Sequence, residues 1–198
     1  MSKILMLMRH GKSSWKEKEL KDFDRPLKKK GRESSETIGK LLEVSGKTPD
    51  VIFSSPAKRA SETAELVVKE IDYDKGIQYV DNFYMGEPEN YIQPLKELDN
   101  DVKRVLVIGH NPGLEALLQV LEGKVNVLST GSLACLELEL KHWRNLNTST
   151  VGELVTLWDP DEMDVEEVMK DLAKKNQEKK DKKEKKDKKE KKDKKDKK

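Results

Sequence analysis

The apolar residues of this chain fall in short runs that end at breakers. Lys3-Ile4-Leu5-Met6-Leu7-Met8 stops at Arg9-His10-Gly11. Val51-Ile52-Phe53 and Val105-Leu106-Val107-Ile108 repeat the pattern before Ser54-Ser55-Pro56 and Gly109-His110-Asn111-Pro112-Gly113. Unalternated runs of this length predict strands buried on both faces. Between them the spacing predicts helices over about Leu27 to Val44, about Pro56 to Ile71, and Leu114 to Leu121. Pro56 and Pro112 suit a first helical turn, where a missing N–H costs nothing. Strands alternating with such helices indicate βαβ units and a mostly parallel sheet.

Two later strands complete the sheet. Leu136-Glu137-Leu138-Glu139-Leu140 alternates strictly, which predicts a strand with one wet face, and Glu153 to Trp158 is a weaker candidate. Val165, Val168, Met169 and Leu172 share one helical face and form a candidate closing helix over 161–173. The expectation is an α/β domain over 1–160 with helices flanking its sheet.

The last 25 residues are a different material. From Lys174 to Lys198 there are sixteen Lys, seven Asp or Glu and no apolar residue. Their net charge is +9, so the first 173 residues carry −7 and the overall +2 is a sum of opposites. With no apolar face to offset the cost of ordering it, 174–198 is expected to be a disordered Lys-rich tail. Sixteen lysines suggest nucleic-acid contact, but the interspersed acids weaken counterion release, so a solvated tail is the leading reading. All the apolar residues lie in the first 173 positions, enough for one core and too few for a large multidomain enzyme. No stretch approaches the length needed to span a bilayer. The first apolar run ends at Met8 without a cleavage site, and Cys135 is alone, so the expected compartment is the cytoplasm.

The chemistry concentrates at the breakers. His10 and His110 each follow a buried strand and precede a turn, which in an open parallel sheet is the ligand-binding carboxyl edge. Arg9 adjoins His10, and Arg59 sits early in the helix after the second strand. Arg presents a planar fork that matches phosphate oxygens, and helix N-terminal amides add to it. Gly11 would let the backbone approach a bound group. No third Cys or His accompanies the two histidines at usable spacing, so no metal and no cofactor is expected. Ser129-Thr130-Gly131-Ser132 reads as a plain turn at the pocket rim, Trp15 as packing, and His142 as a surface residue.

Arg9-His10-Gly11 after a first strand resembles the signature of the histidine phosphatase superfamily, the phosphoglycerate mutase-like proteins. Asp24-Arg25-Pro26-Leu27 with Gly31 is similar to the segment leading into the first helix of the SixA-like phosphohistidine phosphatases. Ser54-Ser55-Pro56-Ala57-Lys58-Arg59-Ala60-Ser61-Glu62-Thr63-Ala64 is similar to the family's second motif, and Val107-Ile108-Gly109-His110-Asn111-Pro112 to its third. The resemblance spans residues 3 to 158. It implies a three-layer α/β/α fold with a mostly parallel central sheet, and metal-independent phosphatase activity through a phosphohistidine intermediate. On this resemblance His10 is the nucleophile, and Arg9, Arg59 and His110 complete the phosphate pocket, with Gly11 also binding substrate. Two Arg and a His supply the charge that a loose phosphoryl-transfer transition state needs.

The departures narrow the substrate. Some branches carry an Asp after the second pocket His, where this chain has Asn111. Glu87 lies where other branches carry their acid and is the candidate general acid. Lys28 replaces the family's usual Ser or Thr. A missing acid suits phosphohistidine, whose weak P–N bond expels imidazole, better than an alkyl phosphate, which needs a positioned proton donor. No long insertion forms a substrate cap, so an open pocket for phosphohistidine on a signalling or phosphocarrier protein is expected, releasing free phosphate. The alternatives are a small-molecule phosphatase or mutase using Glu87, and a non-enzymatic phosphate- or nucleic-acid-binding module.

Overall fold

The computed structural model describes residues 2–16 and 19–178. In chain order the elements are β1 (Lys3–Arg9), α1 (Lys29–Ser45), β2 (Val51–Ser54), α2 (Lys58–Glu70), β3 (Gln78–Tyr79) and α3 (Pro88–Lys96). They continue as β4 (Arg104–Gly109), α4 (Gly113–Glu122), β5 (Leu133–Leu138), β6 (Gly152–Trp158) and α5 over 165–178. The three buried runs pair side by side in one six-stranded sheet of order β3-β2-β4-β1-β5-β6. The pairs β1–β4, β2–β4 and β2–β3 are parallel, and β5 runs antiparallel to both β1 and β6.

The period-two geometry of a strand sorts each run onto two faces. Leu5, Leu7, Val105 and Val107 pack with Tyr91 and Leu95 of α3 and with Leu114, Leu117 and Leu118 of α4. Met6, Met8, Ile52, Leu106 and Ile108 pack on the other face with Leu41 and Leu42 of α1 and Ala60, Ala64 and Val67 of α2. The result is an α/β/α sandwich whose middle strands are covered on both sides.

Four expectations are corrected. The strand of the Leu136 segment is Leu133–Leu138, and it has no wet face. It lies between β1 and β6, with Ala134, Leu136 and Leu138 in one core layer and Leu133 and Cys135 in the other. Alternating exposure belongs to the edge strand β6. Helix α1 starts at Lys29 because Leu27 is engaged in an antiparallel bridge with Ser13. Pro56 precedes α2 and Pro112 caps α4, so neither occupies a first turn. Helix α5 begins later than 161 and continues past Lys174, with Val168, Met169 and Leu172 against the α1–α2 layer and Asn176 Nδ2 donating to Val44 C=O (3.2 Å). The remainder of the expected tail, 179–198, lies outside the described residues. Among the described residues no helix is long and apolar enough to cross a membrane.

The loop leaving β1 is held against α1 by two glycines. A Cβ on Gly11 would meet the backbone of Gly31, and one on Gly31 would meet the Lys12 backbone, its nitrogen 2.6 Å away. Helix propensity alone makes Gly31→Ala stabilising by about 1 kcal/mol. Overpacking against rigid backbone costs about 1–3 kcal/mol and reverses the sign. Urea denaturation is expected to show Gly31→Ala less stable than the parent; a gain in stability would mean the two backbones are not in close approach.

Candidate active site

Strand register delivers the site. Arg9 is opposite Gly109 across β1 and β4, and Ser54 is opposite Ile108 across β2 and β4. The pairing runs one step beyond each strand, with His10 N–H donating to Gly109 C=O (3.1 Å) and Ser55 N–H to Ile108 C=O (2.9 Å). His10, Ser55 and His110 therefore meet at the carboxyl edge, with the two imidazole centroids 5.0 Å apart. Arg59 enters from the first turn of α2, where Thr63, one turn on, accepts from Gly11 N–H (3.0 Å).

The His10 ring is oriented at both nitrogens. Nδ1 is 2.7 Å from Gly11 C=O, and a carbonyl can only accept, so Nδ1 carries the proton. Nε2 is then the lone-pair nitrogen, and it accepts from Arg59 Nε at 3.2 Å. The same guanidinium donates from Nη1 to Asp22 C=O (2.6 Å) and from Nη2 to Asp22 Oδ2 (3.0 Å). Asp22 Oδ2 also accepts from the Tyr84 hydroxyl (3.0 Å), and Oδ1 pairs with Arg25 Nη1 (2.5 Å). Burial works against that carboxylate's charge, but hydrogen bonds from Arg25 and Tyr84 and the Arg59 and Arg25 charges hold it below the usual range.

Both histidines are neutral at physiological pH. Burial, followed by the Arg59, Arg9 and Arg25 charges, brings His10 down to about 4, against a hydrogen bond to Gly11 that favours the cation. Burial, then His10 and Arg59, brings His110 down to about 3. Desolvation thus outweighs the neighbouring arginine charges as the cause.

Among the described residues, the buried side-chain nitrogens and oxygens without a hydrogen-bond partner are Arg9 Nε, His110 Nδ1 and Asn111 Oδ1. All three lie at this edge. Arg9 Nη1 is held by Leu128 C=O (2.8 Å), as is Asn111 Nδ2 (2.9 Å), while His110 Nε2 meets Ser55 Oγ (2.9 Å). Unpartnered buried polar atoms are costly and rare, so their gathering at one place marks a site shaped for a polar ligand. Two cavities open there and share Arg59. One, of about 300 Å³, is lined by Arg9, His10, Lys12, Arg25, Lys28 and Thr130 among others. The other, of about 500 Å³, is lined by His110, Asn111, Asp22, Tyr84 and Glu87.

Comparison with known proteins agrees with this geometry. Residues 5–83 match the model of the histidine phosphatase superfamily (branch 1). An uncharacterized chloroplastic protein of Arabidopsis thaliana is 30% identical over 151 residues, covering 72% of this chain and 69% of that protein. The chain belongs to the histidine phosphatase superfamily. Phosphoglycerate mutase 1 of Saccharomyces cerevisiae is 37% identical over 70 residues, which cover 34% of this chain and 28% of the mutase. Among solved structures, that of the putative phosphohistidine phosphatase SixA from Agrobacterium tumefaciens aligns with a TM-score of 0.69 and 26% identity. The alignment covers 81% of this chain and 99% of that one.

In this member of the superfamily, the structure brings Arg9, His10, Arg59 and His110 together and places Glu87 in the lining of the second cavity with His110. Glu87 is exposed at the N-terminus of α3, where its N–H donates to Asn90 Oδ1 (2.8 Å). Gly11 is used otherwise than expected: its N–H is taken by Thr63 and its missing Cβ admits Gly31. Trp15 does more than fill space, since the Arg25 guanidinium lies 3.2 Å over its ring centre. His142 is held by Asn100 Oδ1 (2.7 Å), away from the site. Asp22, Ser55, Thr63 and Tyr84 went unrecognised in the sequence. Ser55 and Thr63 lie inside the second motif, but Asp22 opens a three-residue 3-10 turn and Tyr84 follows another, elements too short for their spacing to carry a signal. Among the described residues no group of three His, Cys, Asp or Glu is placed to hold a metal ion.

Two outcomes follow from the electrostatics. The ring proton resonances of His10 and His110 should keep neutral-imidazole shifts from neutral pH down to about 5. In the unfolded chain both rings protonate near 6.5, so folding stability should fall as pH drops from 6.5 towards 4. Titration of either ring near 6.5 in the folded protein would contradict the burial. Asp22→Asn should tighten orthophosphate binding about two- to fivefold, the worth of a partly exposed ion pair, while lowering kcat because Arg59 loses its charged partner and keeps only the backbone carbonyl at that position. Calorimetry and steady-state kinetics check this, and weaker phosphate binding would show that Asp22 does not compete with the anion.

Proposed function

We propose that this chain hydrolyses phosphohistidine on proteins, without metal, through phosphorylation of His10. The observation that carries the reading is the tautomer of His10: Nδ1–H is committed to Gly11 C=O, leaving the Nε2 lone pair facing Arg59 at the carboxyl edge. A neutral imidazole fixed in this way is a ready nucleophile at neutral pH.

In the first step the Nε2 lone pair attacks phosphorus in line, an Nε2–P bond forms, and the substrate's P–N bond breaks. The departing imidazole takes a proton from water. In the second step water adds to phosphorus and gives up a proton to the hydroxide left by the first step, the Nε2–P electron pair returns to His10, and phosphate leaves. The sum is phosphohistidine and water to histidine and phosphate. Arg59 and Arg9 bring donors to the equatorial oxygens, where charge concentrates in a loose transition state. His110, neutral and with Nδ1 unpartnered, supplies a further polar contact. The likeness to the SixA structure supports this substrate class, as does the exposed setting of Glu87, which a weakly bonded leaving group does not need.

A second reading is favoured by one observation: Glu87 lines the same cavity as His110 and Arg59. On that reading Glu87 protonates an alkoxide leaving group from a phosphomonoester. Phosphate release from a phosphohistidine peptide and from an alkyl phosphate, both in EDTA, separates the two. The expected result is release from the peptide, absent in His10→Ala, lowered about 10² to 10³ in Arg59→Ala, and little changed in Glu87→Gln. Strong alkyl phosphate turnover lost in Glu87→Gln would favour the second reading, and undiminished activity in His10→Ala would overturn both.

A further inference from the structure

Two lysines at the entrance to the site face each other. The bridge between Ser13 and Leu27 is antiparallel, and Lys28 N–H donates to Lys12 C=O (2.7 Å), so Lys12 and Lys28 occupy directly opposed positions. Like charges in such a pair are destabilising. Among the described residues neither lysine forms an ion pair with a carboxylate. Lys28 carries a second cost: it is the N-cap of α1, where it makes no side-chain hydrogen bond to the first turn. Ser, Thr, Asp or Asn at that position would satisfy an orphan amide.

Both lysines line the cavity of about 300 Å³ that contains His10, and no carboxylate shares that lining. Arg25 and Arg59 already share Asp22, which leaves Arg9, Lys12 and Lys28 as the cations of this lining without a paired carboxylate. Arg9, Arg59 and the two histidines suffice for one phosphoryl group. Two opposed cations next to that group match a further anion.

We propose that Lys12 and Lys28 form a subsite for a second anionic group of the substrate, beside the phosphoryl group transferred to His10. Resting on the phosphohistidine reading, that group is an Asp or Glu carboxylate adjoining the phosphohistidine in the substrate protein. The subsite selects among phosphohistidine proteins by the charge of the flanking sequence, and the opposed lysines are relieved when it is filled.

The test has two arms, both at low ionic strength on the full chain. In the first, calorimetry compares pyrophosphate with orthophosphate. The wild type should prefer pyrophosphate, and Lys12→Ser and Lys28→Ser should each reduce that preference about three- to fivefold. Lys28→Ser places a hydroxyl at the N-cap and so does not compromise the helix. Lys29→Ser, one residue outside the cavity lining, controls for general charge and should leave the preference intact. No preference in the wild type, or equal loss in all three variants, overturns the subsite.

In the second arm, phosphohistidine peptides differing by Asp or Asn next to the phosphohistidine are compared. A lower KM for the Asp peptide, lost in Lys28→Ser, supports the proposal as stated. Equal KM values with an intact pyrophosphate preference would support the subsite and overturn the carboxylate, assigning the second anion to a bisphosphorylated small molecule. Turnover of neither peptide with that preference intact would overturn the phosphohistidine reading and leave the subsite standing.

Discussion

The site depends on the in-register parallel pairing of β2, β4 and β1. Arg9 meets Gly109 and Ser54 meets Ile108, so the first residues beyond the three strands arrive at one edge together. A slip of one residue would turn Met6 and Met8 to the opposite layer and carry His10 away from His110. Register is fixed because both faces of these strands are buried, each against its own pair of helices. The same packing that stabilises the sheet aligns the chemistry.

Burial also sets the electrostatics. Two imidazoles at the sheet edge lose solvation and stay neutral, while the guanidinium groups beside them stay charged. In the proposed reaction, a neutral nucleophile next to fixed cations meets the needs of phosphoryl transfer. Asp22 balances Arg25 and Arg59 and holds the Arg59 fork in place through its carboxylate and its carbonyl. Lys12 and Lys28 have no such balance, which sets them apart from Arg25 and Arg59.

The fold was largely legible because its strands are buried on both faces and therefore appear as unbroken apolar runs. Arg9, His10, Arg59 and His110 were legible for a related reason, since each follows such a run or opens the helix after it. Other elements leave weaker traces. Helix α3 contains Pro88 and Pro94, which read as breakers although Pro88 stands in its first turn. Strand β3 is two exposed residues on the edge of the sheet. The alternation of Leu136 to Leu140 suggested a wet face, but both faces of that strand are covered, one in each core layer, a matter of tertiary packing and not of local pattern. Asp22 reaches Arg59 from a three-residue 3-10 turn between β1 and α1, where only the folded chain sets the distance. Gly11 was assigned a ligand-facing role on sound local grounds; the close neighbour it accommodates is Gly31.

In the proposed reaction Nε2 of His10 carries the phosphoryl group. Rapid quenching of turnover into alkali, followed by peptide mass spectrometry and phosphorus NMR, locates it directly. An acid-labile, alkali-stable phosphoryl group on His10, bonded at Nε2, is expected. A phosphoryl group on His110 or any other residue, or at Nδ1 of His10, would contradict it.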